Sequence, residues 1–347
     1  MREAVIVAGA RTPVGKAKKG SFANTRPDDL AALTVKEVLK RANNYDGPID
    51  DIIIGCAMPE AEQGMNMARN IGGLAGLDHD VPGITINRYC SSGLQSIAYA
   101  AERIMLGNSE AIIAGGAQSM SLIPMGGHVI KPNLDLVENA PGYYMSMGHT
   151  AEEVAQRFGI SREDQDAFAA RSHEKAAKAL AEGKFDDEIV PVDVVQRTVG
   201  PENKGHETTV TVSKDEGVRA GTTPEILSKL KPAFTLGGSV TAGNASQMSD
   251  GAASVLVMDR EKAEKEGLTP IVKFRSFTVQ GVEPEIMGVG PVKAIPKAVE
   301  MAGLELSDIG LFELNEAFAS QSLQVIRELG LNEDIVNVNG GAIALGH

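Results

Sequence analysis

The sequence predicts an α/β fold in which strands and helices alternate around a parallel or mixed sheet covered on both faces. Three observations carry that reading. Residues 4–8, Ala-Val-Ile-Val-Ala, form a continuous apolar run ending at Gly9, the pattern of a strand buried on both sides. Between such runs lie stretches whose apolar residues recur at helical spacing. The same order of elements returns near the C-terminus, so the chain reads as two related halves.

In the first half, residues 28–43 form a helix. Leu30, Leu33, Thr34, Val38 and Leu39 repeat along it, and Asp28 and Asp29 stand at the N-terminal end, where the helix dipole favours acids. A second strand, Ile52-Ile53-Ile54, leads into Gly55-Cys56, and a third, Ile84-Thr85-Ile86, leads towards Cys90. Residues 92–106 are helical, and Glu110–Ala114 returns to a strand before Gly115-Gly116. The apolar run Ala252–Met258 adds a further buried strand to this half.

In the second half, residues 293–302 form a helix ended by Gly303, Leu311–Leu314 is a strand, 317–329 a helix and Ile335–Val338 a strand. Asp51-Ile52 falls on Asp308-Ile309 at an offset of 257 residues, and the same offset carries Cys90 onto His347. Such a duplication predicts pseudo-twofold symmetry, with the two strand tips facing each other across the joint. Residues 119–245 differ in character. Prolines and methionines sit there in loop settings, with helical stretches around 149–158 and 162–182 and a polar run at 197–217. This is the make-up of an inserted loop domain that covers a ligand.

A chain of 347 residues exceeds one ordinary compact domain. Its 43% apolar and 23% charged residues are those of a soluble globular protein. A net charge of −13, 4% aromatics and no Trp argue against a nucleic-acid surface. They leave room for one anionic small ligand held by a local basic patch. The two cysteines, Cys56 and Cys90, suggest no disulfide framework. The N-terminus enters a strand without a signal-like apolar segment, and no apolar run is long enough to span a membrane, so a cytoplasmic location is expected.

Cys90 is followed by Ser91-Ser92-Gly93 and a helix, whose dipole is expected to lower the thiol pKa. A small core cysteine is the alternative. Cys56 has no helix start after it and reads as core. His347 follows Gly340-Gly341 and Gly346 and is a candidate base in a structured turn, with a frayed terminal histidine as the alternative. A thiol and an imidazole at strand tips are what thiol-based acyl transfer needs. Asn315 follows the strand 311–314, either as a donor to water or an oxyanion or as a helix N-cap. Residues 241–246 form a small-residue loop that lets a ligand approach the backbone. His79, His128, His149, His173 and His206 are assigned to loops or exposed helices with no metal-ligand spacing, so no metal is expected. The glycine spacing at Gly9–Gly15 is not a dinucleotide fingerprint.

Six segments together resemble the thiolase family over essentially the whole chain. They are Ala-Arg-Thr-Pro at 10–13, Asn-Arg-Tyr-Cys-Ser-Ser-Gly-Leu-Gln at 87–95, Gly-Gly-Ala-Gln-Ser-Met at 115–120, Thr-Ala-Gly-Asn-Ala-Ser at 241–246, Asn-Glu-Ala-Phe-Ala at 315–319 and Asn-Gly-Gly-Ala-Ile-Ala-Leu-Gly-His at 339–347. The resemblance implies a five-layered αβαβα fold. Residues 1–118 with 246–268 would form the N-terminal half, 119–245 the inserted loop domain and 269–347 the C-terminal half. It also implies roles: Cys90 as the nucleophile that carries the acyl group, His347 as its base, and Asn315 as the residue holding a water in an oxyanion hole. Arg219, Ser246, Met147 and Phe318 match positions lining a coenzyme A channel. Coenzyme A is then a co-substrate, with no tightly bound cofactor and with acyl-CoA as the other substrate. Homodimers or homotetramers are implied, and docking on a further β-oxidation enzyme is open.

The segments at 88–95 and 62–66 resemble the degradative 3-ketoacyl-CoA thiolases, and Ser146 stands where biosynthetic members carry a histidine. The expected reaction is cleavage of 3-oxoacyl-CoA by CoA, with a preference for longer acyl chains. In the family a second catalytic cysteine lies in a Cys-x-Gly-Gly-Gly segment beyond the histidine. These 347 residues hold no such segment, so the C-terminal half is expected to be incomplete and turnover reduced. A biosynthetic acetoacetyl-CoA thiolase and a non-catalytic acyl-CoA-binding fragment are the alternatives.

Overall fold

The computed structural model describes residues 2–199 and 205–347. They pack as two compact units: Met1–Val129 with Asp186–Glu216 and Ser249–Phe274, and Ile130–Phe185 with Gly217–Met248 and Arg275–His347. Residues 119–129 and 186–216 of the inserted region belong to the first unit, and the rest of it to the second.

The first unit contains strands β1 (Ala4–Arg11), β2 (Gly15–Lys16), β3 (Asp51–Gly55), β4 (Gly83–Ile86), β5 (Ala111–Ser119), β6 (Val192–Val199), β7 (Gly205–Val212), β8 (Ser249–Asp259) and β9 (Val272–Lys273). Its helices are α1 (Pro27–Arg41), α2 (Met67–Ala75), α3 (Ser92–Met105) and α8 (Arg260–Lys265). Seven strands form one sheet in the order β4-β3-β5-β8-β1-β9, with β2 pairing β8. The β3–β4 and β3–β5 pairs are parallel, whereas β8 pairs antiparallel with β5 and β1, so the sheet is mixed.

Strand periodicity sorts the core into two faces. Val5, Val7, Ile52, Ile54, Ile113, Leu256 and Met258 join one apolar cluster with Leu30, Val35 and Val38 of α1 and Met67 and Ile71 of α2. Ala4, Ile53, Ile112, Ala114 and Val257 join another with Ala100, Ala101 and Ile104 of α3. Each fully buried Ile contributes on the order of 1.5–3 kcal/mol. Helix α1 starts on Pro27 with Asp28 and Asp29 in its first turn and ends on Lys40 and Arg41, a charge order suited to its dipole. The strand Ile84–Ile86, expected from its apolar residues to be buried, is instead the sheet's edge, and Ile84 is 49% exposed. Part of the polar run 197–217 forms the β6–β7 hairpin, with Val192 opposite Val212; residues 200–204 lie outside the described residues. Arg11 ties this segment to β1, donating to both carboxylate oxygens of Asp215 (2.7 and 2.9 Å) and to Glu188 (2.7 Å).

The second unit contains α4 (Leu134–Asn139), α5 (Met147–Arg157), α6 (Arg162–Ala181), α7 (Pro224–Leu227), α9 (Pro291–Met301), α10 (Ala319–Leu329) and α11 (Ala342–Leu345). Its apolar cluster joins Phe168 and Ala169 of α6, Leu323, Val325 and Ile326 of α10, and Leu314, Leu331, Val336 and Ile343. The strands expected at 311–314 and 335–338 reduce to one parallel bridge, Phe312 with Val336. The cause is local. Residues 333–335 form a 3₁₀ turn, and Asn337 adopts a left-handed φ of 46°, so the extended stretch between them is too short for a ladder. The Asn337 side chain supplies the next rung instead. Its Oδ1 accepts from the Leu314 N–H and its Nδ2 donates to the Leu314 carbonyl, both at 2.8 Å. Among the described residues no helix is long and apolar enough to cross a membrane.

Candidate active site

Cys90 sits in the 3₁₀ turn Tyr89–Ser91 that opens into α3. The turn is tight because Tyr89 adopts a left-handed φ of 45°, a conformation that costs a non-glycine residue about 1–3 kcal/mol. Neighbouring hydrogen bonds hold it. The Tyr89 N–H donates to Asn87 Oδ1 (2.8 Å), the Arg88 N–H to Ser92 Oγ (2.8 Å), and the Ser92 hydroxyl to the Tyr89 carbonyl (2.7 Å). Gly55 of β3 lets α3 approach this closely, since a Cβ there would lie 2.3 Å from the Ser92 carbonyl carbon.

The thiol is accessible to solvent. Its pKa is nonetheless raised, because desolvation by the surrounding protein outweighs the lowering effect of its own backbone N–H. This corrects the lowered pKa expected from the helix dipole: the thiol is protonated at neutral pH. Cys56 is the core cysteine the sequence suggests, buried, next to Gln118, with burial pushing its thiol up to about 11.

His347 lies in the second unit, after α11, and is not frayed. Its N–H donates to the Gln247 carbonyl (3.1 Å), its Nδ1 lies 3.0 Å from Ser246 Oγ, and its Nε2 lies 3.5 Å from Asn315 Nδ2. With the Asn315 amide N–H directed at it, Nε2 bears the lone pair and Nδ1 the proton, which is donated to Ser246. Desolvation lowers the imidazole pKa, so the ring is neutral at pH 7 although solvent reaches it. A neutral histidine with one oriented nitrogen is a general base. The structure thus brings His347, Asn315 and Ser246 together.

Pairing of two segments explains that convergence. The Ser246 N–H donates to the Ala317 carbonyl and the Ala319 N–H to the Asn244 carbonyl, both at 2.9 Å, with Ala245 bridged to Phe318. The small-residue loop 241–246 is thereby zipped onto 317–319. Phe318 packs edge-on against Phe234 (ring centroids 6.0 Å apart), and Phe234 against His149 (6.4 Å). Met147 is the half-buried first residue of α5, two positions before His149. Arg219 is exposed, and among the described residues its guanidinium makes no hydrogen bond or ion pair. Its backbone N–H donates to His173 Nδ1 (3.2 Å). His173, assigned from sequence to an exposed setting, is in fact buried on α6.

Sequence reasoning passed over Ser172, Phe234, Gln247, Glu316 and Asn337. Gln247 Nε2 holds the carbonyls of Gly217, Ile343 and Ala344 at 2.9–3.1 Å, which fixes the turn before His347. Asn339, directly before Gly340-Gly341, was the available signal for a turn close behind Asn337.

The family description "Thiolase, N-terminal domain" matches residues 4–261, and "Thiolase, C-terminal domain" matches residues 268–347. The chain is 71% identical over 347 residues to the 3-ketoacyl-CoA thiolase of Bacillus subtilis (strain 168), covering all of this chain and 89% of that protein. Among solved structures it resembles the Bacillus anthracis acetyl-CoA acetyltransferase (TM-score 0.89, 40% identity) and the human mitochondrial 3-ketoacyl-CoA thiolase (TM-score 0.88, 36% identity). Each likeness covers all of this chain and 88% of the other. The expected fold class stands.

Proposed function

The chain belongs to the thiolase family, and from that premise we propose that it cleaves 3-oxoacyl-CoA with CoA, giving acetyl-CoA and an acyl-CoA shortened by two carbons. The observation that carries this reading is His347, a neutral imidazole oriented by Ser246 on Nδ1 with Asn315 beside Nε2. The 71% identical relative named a 3-ketoacyl-CoA thiolase favours the degradative direction.

In this mechanism His347 takes the proton of the Cys90 thiol, whose raised pKa makes a base necessary. The thiolate attacks the 3-keto carbonyl, and the oxyanion that forms is met by a water on Asn315 together with the imidazolium. Collapse of the adduct breaks the Cα–Cβ bond, leaves the acyl group on Cys90 as a thioester, and releases the acetyl-CoA carbanion, which takes its proton from the His347 imidazolium and so returns the ring to its neutral form. The thiol of free CoA then gives its proton to His347 and attacks the thioester, restoring the Cys90 thiolate. Arg219 meets the phosphates of CoA, and Met147, Phe318 and Ser246 line the path of its pantetheine arm. Assembly as a homodimer or homotetramer, docking on a further β-oxidation enzyme and a cytoplasmic location belong to the same proposal.

Intact-mass spectrometry after incubation with acetyl-CoA tests it. One acetyl group is expected, mapped to Cys90 and missing in Cys90→Ser. An adduct elsewhere, or none on the folded protein, would overturn the reading.

A further inference from the structure

Beside Asn315 in the chain lies a carboxylate that the mechanism above does not use. Glu316 is 2% exposed and sits among groups from three separate segments of the second unit. Ser172 of α6 donates its hydroxyl to Oε2 (2.6 Å), Asn337 donates Nδ2 to Oε1 (2.9 Å), and the Ile343 N–H of α11 donates to Oε2 (3.2 Å). The chain of hydrogen bonds goes further, because Ser172 Oγ accepts from the Gly341 N–H (3.1 Å). Gly341 itself has no room for a side chain, since a Cβ there would lie 2.2 Å from the Glu316 carboxyl carbon. Asn337, which donates to Glu316, also pairs with both backbone groups of Leu314, the residue before Asn315.

These bonds join the segments around Asn315 and His347 to each other and to α6. Leu314 and Glu316 flank Asn315, Gly341 and Ile343 lead into His347, and Ser172 anchors both to a twenty-residue helix. Burial pushes the carboxyl pKa up, and the donors from Ser172, Asn337 and Ile343 oppose that rise. Desolvating a carboxylate is expensive, the nearby Lys175 offsets part of that cost, and hydrogen-bonded networks of this kind are the ones that specify a single geometry.

We propose that Glu316 is a positioning residue for the thiolase reaction. Its carboxylate locks the Gly340-Gly341 turn and α11 to the strand end at Asn315, and so sets the distance between His347 Nε2 and the Asn315 amide. It touches no substrate and acts through Asn315 and His347. The inference rests on the reading of His347 as the catalytic base.

The test compares Glu316→Gln with the wild-type full chain. The variant keeps size and shape but turns one acceptor into a donor facing donors. Cys90 acetylation by acetyl-CoA is expected to slow about 10²-fold, the scale of a misplaced catalytic group. CoA affinity by calorimetry is expected to stay at the wild-type value, because Arg219 and the channel residues are not in this network. A folded variant that acetylates within roughly threefold of wild type would overturn the inference. So would a loss of CoA affinity in proportion to the loss of rate, which marks general loosening. Should Glu316→Gln not fold, Ser172→Ala removes one donor and leaves the acid, with a loss of roughly tenfold in rate expected at unchanged CoA affinity. A wild-type rate there would equally overturn it. Failure of the wild-type chain to acetylate Cys90 at all would count against the thiolase reading and not against this one.

Discussion

In the unit that carries Cys90, the reactive residue stands on a turn shaped by backbone. A left-handed Tyr89, a glycine in β3 and the first turn of α3 define it, over a sheet whose inner strands are buried on both faces. In the unit that carries His347, the nearest extended segments share a single bridge, and side chains do the work of a ladder: Asn337, Glu316, Ser172 and Gln247 bind backbone groups across loops. Cys90 is thus positioned by steric fit and apolar packing, and His347 by buried polar groups. Packing punishes added volume, whereas a polar network punishes any loss of partner.

Three experiments sharpen or break that contrast. The largest effect is expected from His347→Ala. Cys90 acetylation should fall about 10²- to 10⁴-fold with little change in thermal stability, since the side chain is exposed and the backbone bond to Gln247 remains. Stopped-flow or quench-mass measurements beside a melting curve check it, and unchanged acetylation would remove the base from the mechanism.

Next comes Gly55→Ala. The added methyl group meets backbone at Ser92 rather than a yielding side chain, so a destabilisation of about 1–3 kcal/mol is expected in urea unfolding. Slower alkylation of Cys90 should accompany it. Wild-type stability and alkylation would show that α3 does not depend on this close approach.

The smallest effect is in pH dependence. His347 has its pKa lowered below the ordinary 6.5 by desolvation, so more than half of the rings are neutral at pH 6.5. The acid limb of the acetylation rate should be centred below 6.5. The same shift has a stability counterpart. In the unfolded chain the imidazole takes a proton as pH falls through about 6.5, while the folded protein resists. The stability it contributes is complete above that value and is lost as pH falls through the lower folded pKa. An acid limb centred above 6.5 would contradict the desolvated setting of the ring.

Much of the architecture was legible because local pattern and tertiary role agree in it. The runs at 4–8, 52–54 and 252–258 are strands, and the helices at 28–43, 92–106, 149–158 and 162–182 fall within a few residues of α1, α3, α5 and α6. Asn315, His347 and Ser246 were singled out and do meet, although Ser246 bonds the imidazole as well as lying in the loop expected to receive a ligand. The stretches 311–314 and 335–338 read as full strands because their apolar residues fit one, yet they share a single bridge. The turn at Asn337 that ends the pairing depends on a side chain bonding Leu314, 23 residues away in sequence.

The sequence by itself determined the alternation of strands and helices, the apolar faces that drive the sheet together, and the residue types that give the chain a thiol, an imidazole and an amide. These follow from periodicity and side-chain chemistry, which are local properties. Only the tertiary structure decided that the Cys90 thiol has a raised pKa and not a lowered one. Only it decided that His173 is buried, that β4 is an edge, and that Glu316 links Asn315 to the turn before His347. Desolvation and long-range hydrogen bonding depend on which distant atoms surround a group, and no window along the chain contains those atoms.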